Sequence, residues 1–238
     1  MLVEANAGRN SGFGDEEYAK QGAKIVATAA EVWKTAEMVV KVKEPLQPEF
    51  EHLRKDLILF TYLHLAAEEE VTKVLLDKHV TGVAYETVEL DDGSLPLLTP
   101  MSEVAGRMAV QVGMHYLERT YGGAGKLLAG VPGVMPATVT VIGSGVVGVN
   151  AAKMAHGLGA RTFIIGRNLN ELRRIDDVFG GQVVTLASNP HNIEQAVVQS
   201  DLVVGGVAIT GAAAPKLVTR EMIKKMRPGS VLVDVSID

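Results

Sequence analysis

Gly143-Ser144-Gly145-Val146-Val147-Gly148 constrains this chain more than any other segment. It follows the β-branched run Thr138-Val139-Thr140-Val141-Ile142 and opens a helical stretch over 146–158. A GxGxxG spacing between a buried strand and a helix gives each glycine a task. Gly143 permits the tight turn, Gly145 lets the backbone approach a pyrophosphate, and Gly148 lets the helix pack close to the strand. The first-turn amides of such a helix have no carbonyl behind them and attract an anion. A glycine-rich turn with no ligand would use the same residues. The strand–turn–helix setting is what points to a nucleotide.

The same α/β rhythm continues after the loop. Strands are expected at 161–165, 183–186, 202–205 and 231–235, and helices at 169–179, 193–199 and 220–226. With 138–142 that makes five strands, one fewer than a complete dinucleotide fold has. Before the loop, 39–42, 57–60 and 80–85 read as strands and 68–78 as an amphipathic helix. Asp15-Glu16-Glu17 reads as a helix start, where acids suit the positive end of the dipole. Ser102 is placed to cap a long helix running to about residue 121. The expected fold is therefore α/β with two domains. Residues 1–101 form an incomplete flavodoxin-like substrate domain. Residues 102–130 form a connecting helix and linker, and 131–238 a Rossmann domain without its last strand.

Composition excludes several classes. With no cysteine there is no disulfide framework and no thiolate metal site, which suits a reducing cytoplasm. A net charge of −5 argues against nucleic acid as the main partner. Met1-Leu2-Val3-Glu4-Ala5 does not read as a signal peptide, and no apolar run approaches the ~20 residues that span a bilayer. No His or carboxylate cluster has metal-ligand spacing, so no metal is expected. His52, His79, His115, His156 and His191 read as surface or packing residues.

One position departs from the dinucleotide pattern. An acid is expected at the end of the second strand, about 20 residues after the loop, to hold the ribose hydroxyls. Here that strand ends in Gly166-Arg167-Asn168. Without the acid, a 2′-phosphate meets no like charge, and Arg167 can fork onto its oxygens. Asn168 is a further donor, and Arg173 and Arg174 lie on the next helix. Arg167 as a solvated surface residue is the alternative. The expectation is a cofactor that is NAD or NADP, with NADP used at least comparably to NAD.

Several blocks resemble the alanine dehydrogenase/pyridine nucleotide transhydrogenase alpha family. They are Val40-Lys41-Val42-Lys43-Glu44-Pro45, Tyr62-Leu63-His64-Leu65-Ala66, Met101-Ser102-Glu103-Val104-Ala105-Gly106-Arg107, Gly130-Val131-Pro132-Gly133-Val134 and Ala214-Pro215-Lys216-Leu217-Val218. The resemblance runs along essentially the whole chain. The histidine at His64 favours the dehydrogenase branch over a transhydrogenase-like subunit or an inactive nucleotide-binding module.

The resemblance implies reversible oxidative deamination of L-alanine to pyruvate and ammonia, with a nicotinamide cofactor. It implies Lys43 as the substrate-binding cation and His64 and Asp238 as the catalytic pair. Ser102, Ser188, Val207 and Ala208 fall at cofactor positions beside the 143–148 loop and 166–168. It also implies a cytoplasmic homohexamer, with the helix after Ser102 near subunit contacts. Finally, it implies further chain at both ends, including a substrate-binding arginine ahead of Leu2 and a last cofactor-domain strand beyond Asp238.

Overall fold

A computed structural model describes residues 1–207 and 214–236. The chain divides into two compact units, Met1–Leu95 and Pro96–Asp238.

The first unit runs β1 (Leu2–Glu4), α1 (Asp15–Lys20), β2 (Lys24–Val26), α2 (Ala29–Thr35), β3 (Met38–Val40), β4 (Ile58–Thr61), α3 (Glu69–Asp77) and β5 (Thr81–Ala84). β1 and β2 pair in parallel, and β3-β4-β5 form a second parallel sheet. The core gathers Trp33, Val39, Leu53, Leu57, Leu59, Leu63, Val71 and Leu75. Val71 and Leu75 lie four apart on α3, the face expected from its periodicity. β1, β2 and α2 are additions to the sequence reading. Three-residue strands show too little alternation to be seen locally, and it is pairing that defines them.

The second unit runs α4 (Thr99–Leu117), β6 (Thr138–Ile142), α5 (Val146–Gly157), β7 (Arg161–Gly166), α6 (Leu169–Phe179), β8 (Val184–Ala187), α7 (Pro190–Gln199), β9 (Leu202–Gly205), α8 (Arg220–Lys225) and β10 (Val231–Asp234). Its sheet is wholly parallel among the described residues, in the order β10-β9-β6-β7-β8. Alternate residues face opposite sides. Val139, Val141, Ile164, Leu202 and Val204 pack against α4, α5 and α6, while Ile142, Ile165 and Val203 pack against α7 and α8. Both faces of its central strands are covered, which is why β6, β7 and β9 are rich in Val, Ile and Leu rather than alternating with charged residues. The buried Ser200 hydroxyl is satisfied within the core: Ser200 Oγ bonds Thr140 Oγ1 at 2.7 Å and the Ala196 carbonyl at 2.7 Å.

The long helix differs from expectation at its start. Ser102 is not its cap; α4 begins at Thr99, and the Ser102 amide already donates to the Leu98 carbonyl at 3.0 Å. Pro100 in the first turn accounts for the earlier start, since no helical partner is needed for an amide there. The helix packs within the second unit rather than standing apart. Gly106 lies against the Val147 carbonyl and Gly113 against the Leu202 side chain, so both sit where a methyl group has no room.

Candidate functional site

In the first unit the chemistry collects where three parallel strands end, the usual place in such sheets. β3 runs out into Lys43-Glu44-Pro45. This segment is tied to β4 by the Tyr62 amide on the Val42 carbonyl (3.2 Å) and by buried Thr61 Oγ1 on the Lys43 carbonyl (2.7 Å). Lys41 Nζ adds a bond to the Glu44 carbonyl and an ion pair with Glu49. Lys43 itself is exposed. β4 leads to His64, whose φ of 48° is left-handed. β5 leads to Glu86, which reaches back across the sheet. Its carboxylate accepts from the amides of Leu63 (3.1 Å) and His64 (2.7 Å) and holds that turn in place.

The His64 ring faces Glu44. Nε2 lies 4.0 Å from Glu44 Oε2, both atoms are buried, and neither has a hydrogen-bond partner among the described residues. Two such groups facing each other can share a small polar molecule or a proton. Tyr62 stacks on the ring at 6.1 Å between centroids. Burial raises the Tyr62 hydroxyl above the usual phenol value, and the Glu86 charge raises it further. Burial, followed by the neighbouring Tyr62, does the same for Tyr85. Glu44, His64 and Glu86 therefore come together at these strand ends, with the exposed Lys43 next to Glu44 in the chain. The sequence reading named Lys43 and His64 but missed the two acids. Glu44 was visible beside Lys43, whereas nothing local marks Glu86.

In the second unit the loop has the shape a dinucleotide needs. Gly143 takes φ 116°, and a Cβ there would sit 2.5 Å from the Gly206 carbonyl oxygen. A Cβ on Gly148 would overlap the Gly143 carbonyl, so that residue allows α5 to press against the turn. At Gly145 nothing lies within 4 Å of a Cβ, leaving the backbone open to an approaching group. The amides of Val146, Val147 and Gly148 form the first turn of α5, oriented toward that opening. These features fit a pyrophosphate. The loop is braced from α4: Arg107 Nε donates to Asn150 Oδ1 at 3.0 Å, and Asn150 Nδ2 to the Val146 carbonyl at 2.9 Å.

Of the other expected cofactor residues, Gly166, Ser188 and Val207 lie at the C-terminal ends of the strands. Gly166 ends β7, and its carbonyl accepts from the Ser188 amide after β8 at 2.8 Å. Val207 follows β9, packs against the cluster of Ile142 and Ile165, and lies beside Gly143. Ser102 lies in the first turn of α4. Asp234, at the end of β10, approaches Gly205 and takes the Ser236 amide at 3.0 Å; the sequence reading did not single it out. Ala208 and Asp238 lie outside the described residues.

Beyond β7 the charges sort themselves. Asn168 caps α6, its Oδ1 accepting from Asn170 N (2.9 Å) and Glu171 N (3.3 Å), so only its amide nitrogen remains to donate outward. Arg173 is bound to Asn170, and Arg174 pairs with Glu171 at 2.6 Å, which lowers the Glu171 carboxyl below its usual value. Arg167 is exposed and makes no hydrogen bond or ion pair among the described residues. Those residues contain no group of three or more potential metal ligands and no helix long and apolar enough to cross a membrane.

Two family models cover nearly the whole chain. "Alanine dehydrogenase/PNT, N-terminal domain" matches residues 1–105 and "Alanine dehydrogenase/PNT, C-terminal domain" residues 109–238. The chain is 59% identical over all 238 residues to an alanine dehydrogenase of Methanococcus maripaludis, spanning 64% of that protein. It is 60% identical over the same length to one from Bacillus subtilis, spanning 62%. It thus spans a little under two thirds of these relatives. Among solved structures, an L-alanine dehydrogenase superposes with a TM-score of 0.89 at 51% identity, over 99% of this chain and 65% of that one. A transhydrogenase from Sinorhizobium meliloti superposes at 0.77 with 27% identity, over 99% of this chain and 68% of that one.

Proposed function

The chain belongs to the alanine dehydrogenase/PNT family, and on that premise we propose that the protein interconverts L-alanine with pyruvate and ammonia. The observation that carries this reading is the cluster at the ends of β3, β4 and β5, with the buried, unbonded His64 Nε2 and Glu44 Oε2 facing each other at 4.0 Å. A nicotinamide dinucleotide, when bound, supplies the hydride acceptor or donor. In this reading Met1–Leu95 serves the substrate and Pro96–Asp238 the dinucleotide.

Lys43 offers its ammonium to the substrate carboxylate, a charge-assisted contact worth ~1.5–3 kcal/mol. His64 handles the proton that leaves the amine or carbinolamine as the hydride moves; histidine is the side chain that exchanges protons near neutral pH. Asp238 is its proposed acidic partner. Gly143, Ser144, Gly145 and Gly148, with the Val146 and Val147 amides, hold the pyrophosphate, and Ser102, Ser188, Val207 and Ala208 contact the rest of the dinucleotide. The protein works as a cytoplasmic homohexamer in this proposal, and the exposed face of α4 is the surface offered to a second copy.

The cofactor is NADP at least as readily as NAD. Losing the ribose acid at Gly166 weakens NAD by ~1–3 kcal/mol. It also removes a like-charge opposition to a 2′-phosphate worth about several kcal/mol. Arg167, exposed and without a partner among the described residues, supports this choice more than Arg173 and Arg174, which are engaged along α6.

The test is oxidation of reduced cofactor by the full-length protein, dependent on both pyruvate and ammonia. His64→Ala should abolish turnover and leave cofactor affinity nearly unchanged. Cofactor binding with no turnover in the wild type would instead favour a transhydrogenase-like subunit or an inactive nucleotide-binding module.

A further inference from the structure

The space above Gly166 is already filled. A Cβ built on this buried glycine would lie 2.7 Å from Ser144 Cβ and 3.1 Å from Leu172 Cδ2, and would overlap the Ser144 hydroxyl. Leu172 ends in rotatable methyl groups and can yield. Ser144 cannot yield in the same way, because its Cβ is fixed to the backbone of the glycine loop. The register explains the proximity. Ile142 pairs with Ile165, and the Gly143 amide donates to the Ile165 carbonyl at 2.8 Å, so residues 144 and 166 leave the sheet side by side.

We infer that Ser144 is a specificity-determining residue of the dinucleotide site, acting as one unit with Gly166. Its side chain stands where the first carbon of a ribose-binding acid would emerge, and its hydroxyl is the polar group this chain presents there instead. A carboxylate only accepts hydrogen bonds and repels a phosphate. A hydroxyl donates to a phosphate oxygen and also accepts from a ribose hydroxyl. The pair therefore admits the 2′-phosphorylated cofactor without excluding the other. It also blocks a single-step return to the acid, because Gly166→Asp must first displace the loop that cradles the pyrophosphate. The inference rests on the proposal that this loop binds a nicotinamide dinucleotide.

The test compares the wild-type full-length protein with Gly166→Asp, Ser144→Gly, the double variant and Arg167→Ala. Two readouts are the thermal midpoint without cofactor and the dissociation constants of NADPH and NADH from fluorescence titration. Gly166→Asp alone should lower the midpoint and weaken both cofactors. Adding Ser144→Gly should recover much of that midpoint and move the NADPH-to-NADH preference at least tenfold toward NADH relative to the single variant. If Gly166→Asp alone keeps the wild-type midpoint and switches preference as fully as the double variant, Ser144 has no part and the inference is overturned. Arg167→Ala separates the two readings. Loss of NADPH affinity alone supports the phosphate site. Equal affinities before and after overturn that site, while a non-additive midpoint still supports the Ser144–Gly166 unit. A wild-type protein that binds neither cofactor overturns both.

Discussion

Glu86 holds His64 in a backbone conformation that a histidine does not choose for itself. A non-glycine residue at φ 48° needs its surroundings to offset the strain, and two backbone amides on one carboxylate do so. Glu86→Gln leaves one weaker acceptor and should cost ~1–2 kcal/mol in a denaturant titration. The same substitution bears on Tyr62. Its hydroxyl is raised first by burial and second by Glu86, so the variant should lower its pKa only part of the way back. The sign for stability follows. Below the ordinary phenol value of about 10 nothing is lost. Above it the unfolded chain sheds a proton that folded Tyr62 retains, so stability falls as pH climbs. Absorbance titration of the phenolate band checks this. A wild-type Tyr62 that ionises together with exposed tyrosines would contradict the assignment.

Helix α4 acts on the glycine loop without belonging to it. Gly106 lets the α4 backbone come against the Val147 carbonyl, and Arg107 reaches Asn150, which in turn holds Val146. The Ser102-Glu103-Val104-Ala105-Gly106-Arg107 block thus has a packing reason as well as a family one. Gly106→Ala puts a methyl group into the Val147 carbonyl and within 3.0 Å of Asn150 Cβ. Overpacking of this kind costs ~1–3 kcal/mol. The displaced element is the first turn of α5, so cofactor affinity should fall along with the thermal midpoint. A variant with a lowered midpoint and unchanged affinity would separate the helix from the loop.

At the scale of the molecule, α4 has two unlike faces. Gly106, Ala109, Val110, Gly113 and Leu117 are buried against the second unit's core. On the other side Met101, Val104, Met108, Val112 and Tyr116 are all at least 37% exposed and form a continuous apolar stripe. A stripe at i, i+3, i+7, i+11 and i+15 on a 19-residue helix is an exposed apolar face, which suits the proposed self-association. Met108→Glu places a charge at its centre. Sedimentation velocity of the full-length protein should then show a smaller species than the wild type. An unchanged assembly would remove this face from the proposed contact.

The sequence by itself determined the elements whose residues carry their own period or cap. β6, β9 and α6 occur where their runs place them, because strands buried on both faces are dense in β-branched and aliphatic residues and α6 has Asn168 before it and Gly180 after it. The glycine spacing was likewise legible, since each glycine answers a local steric demand. Tertiary structure alone decided which side chains meet. Parallel strands joined by crossovers set side by side residues about 20 apart in the chain, and their register is chosen by packing across the sheet rather than by neighbours in sequence. That is how Thr61 comes opposite Ala84 and Glu86 reaches the His64 amide. It is also how Ser144 comes to cover Gly166, a contact no local pattern announces because it exists only once β6 and β7 have paired.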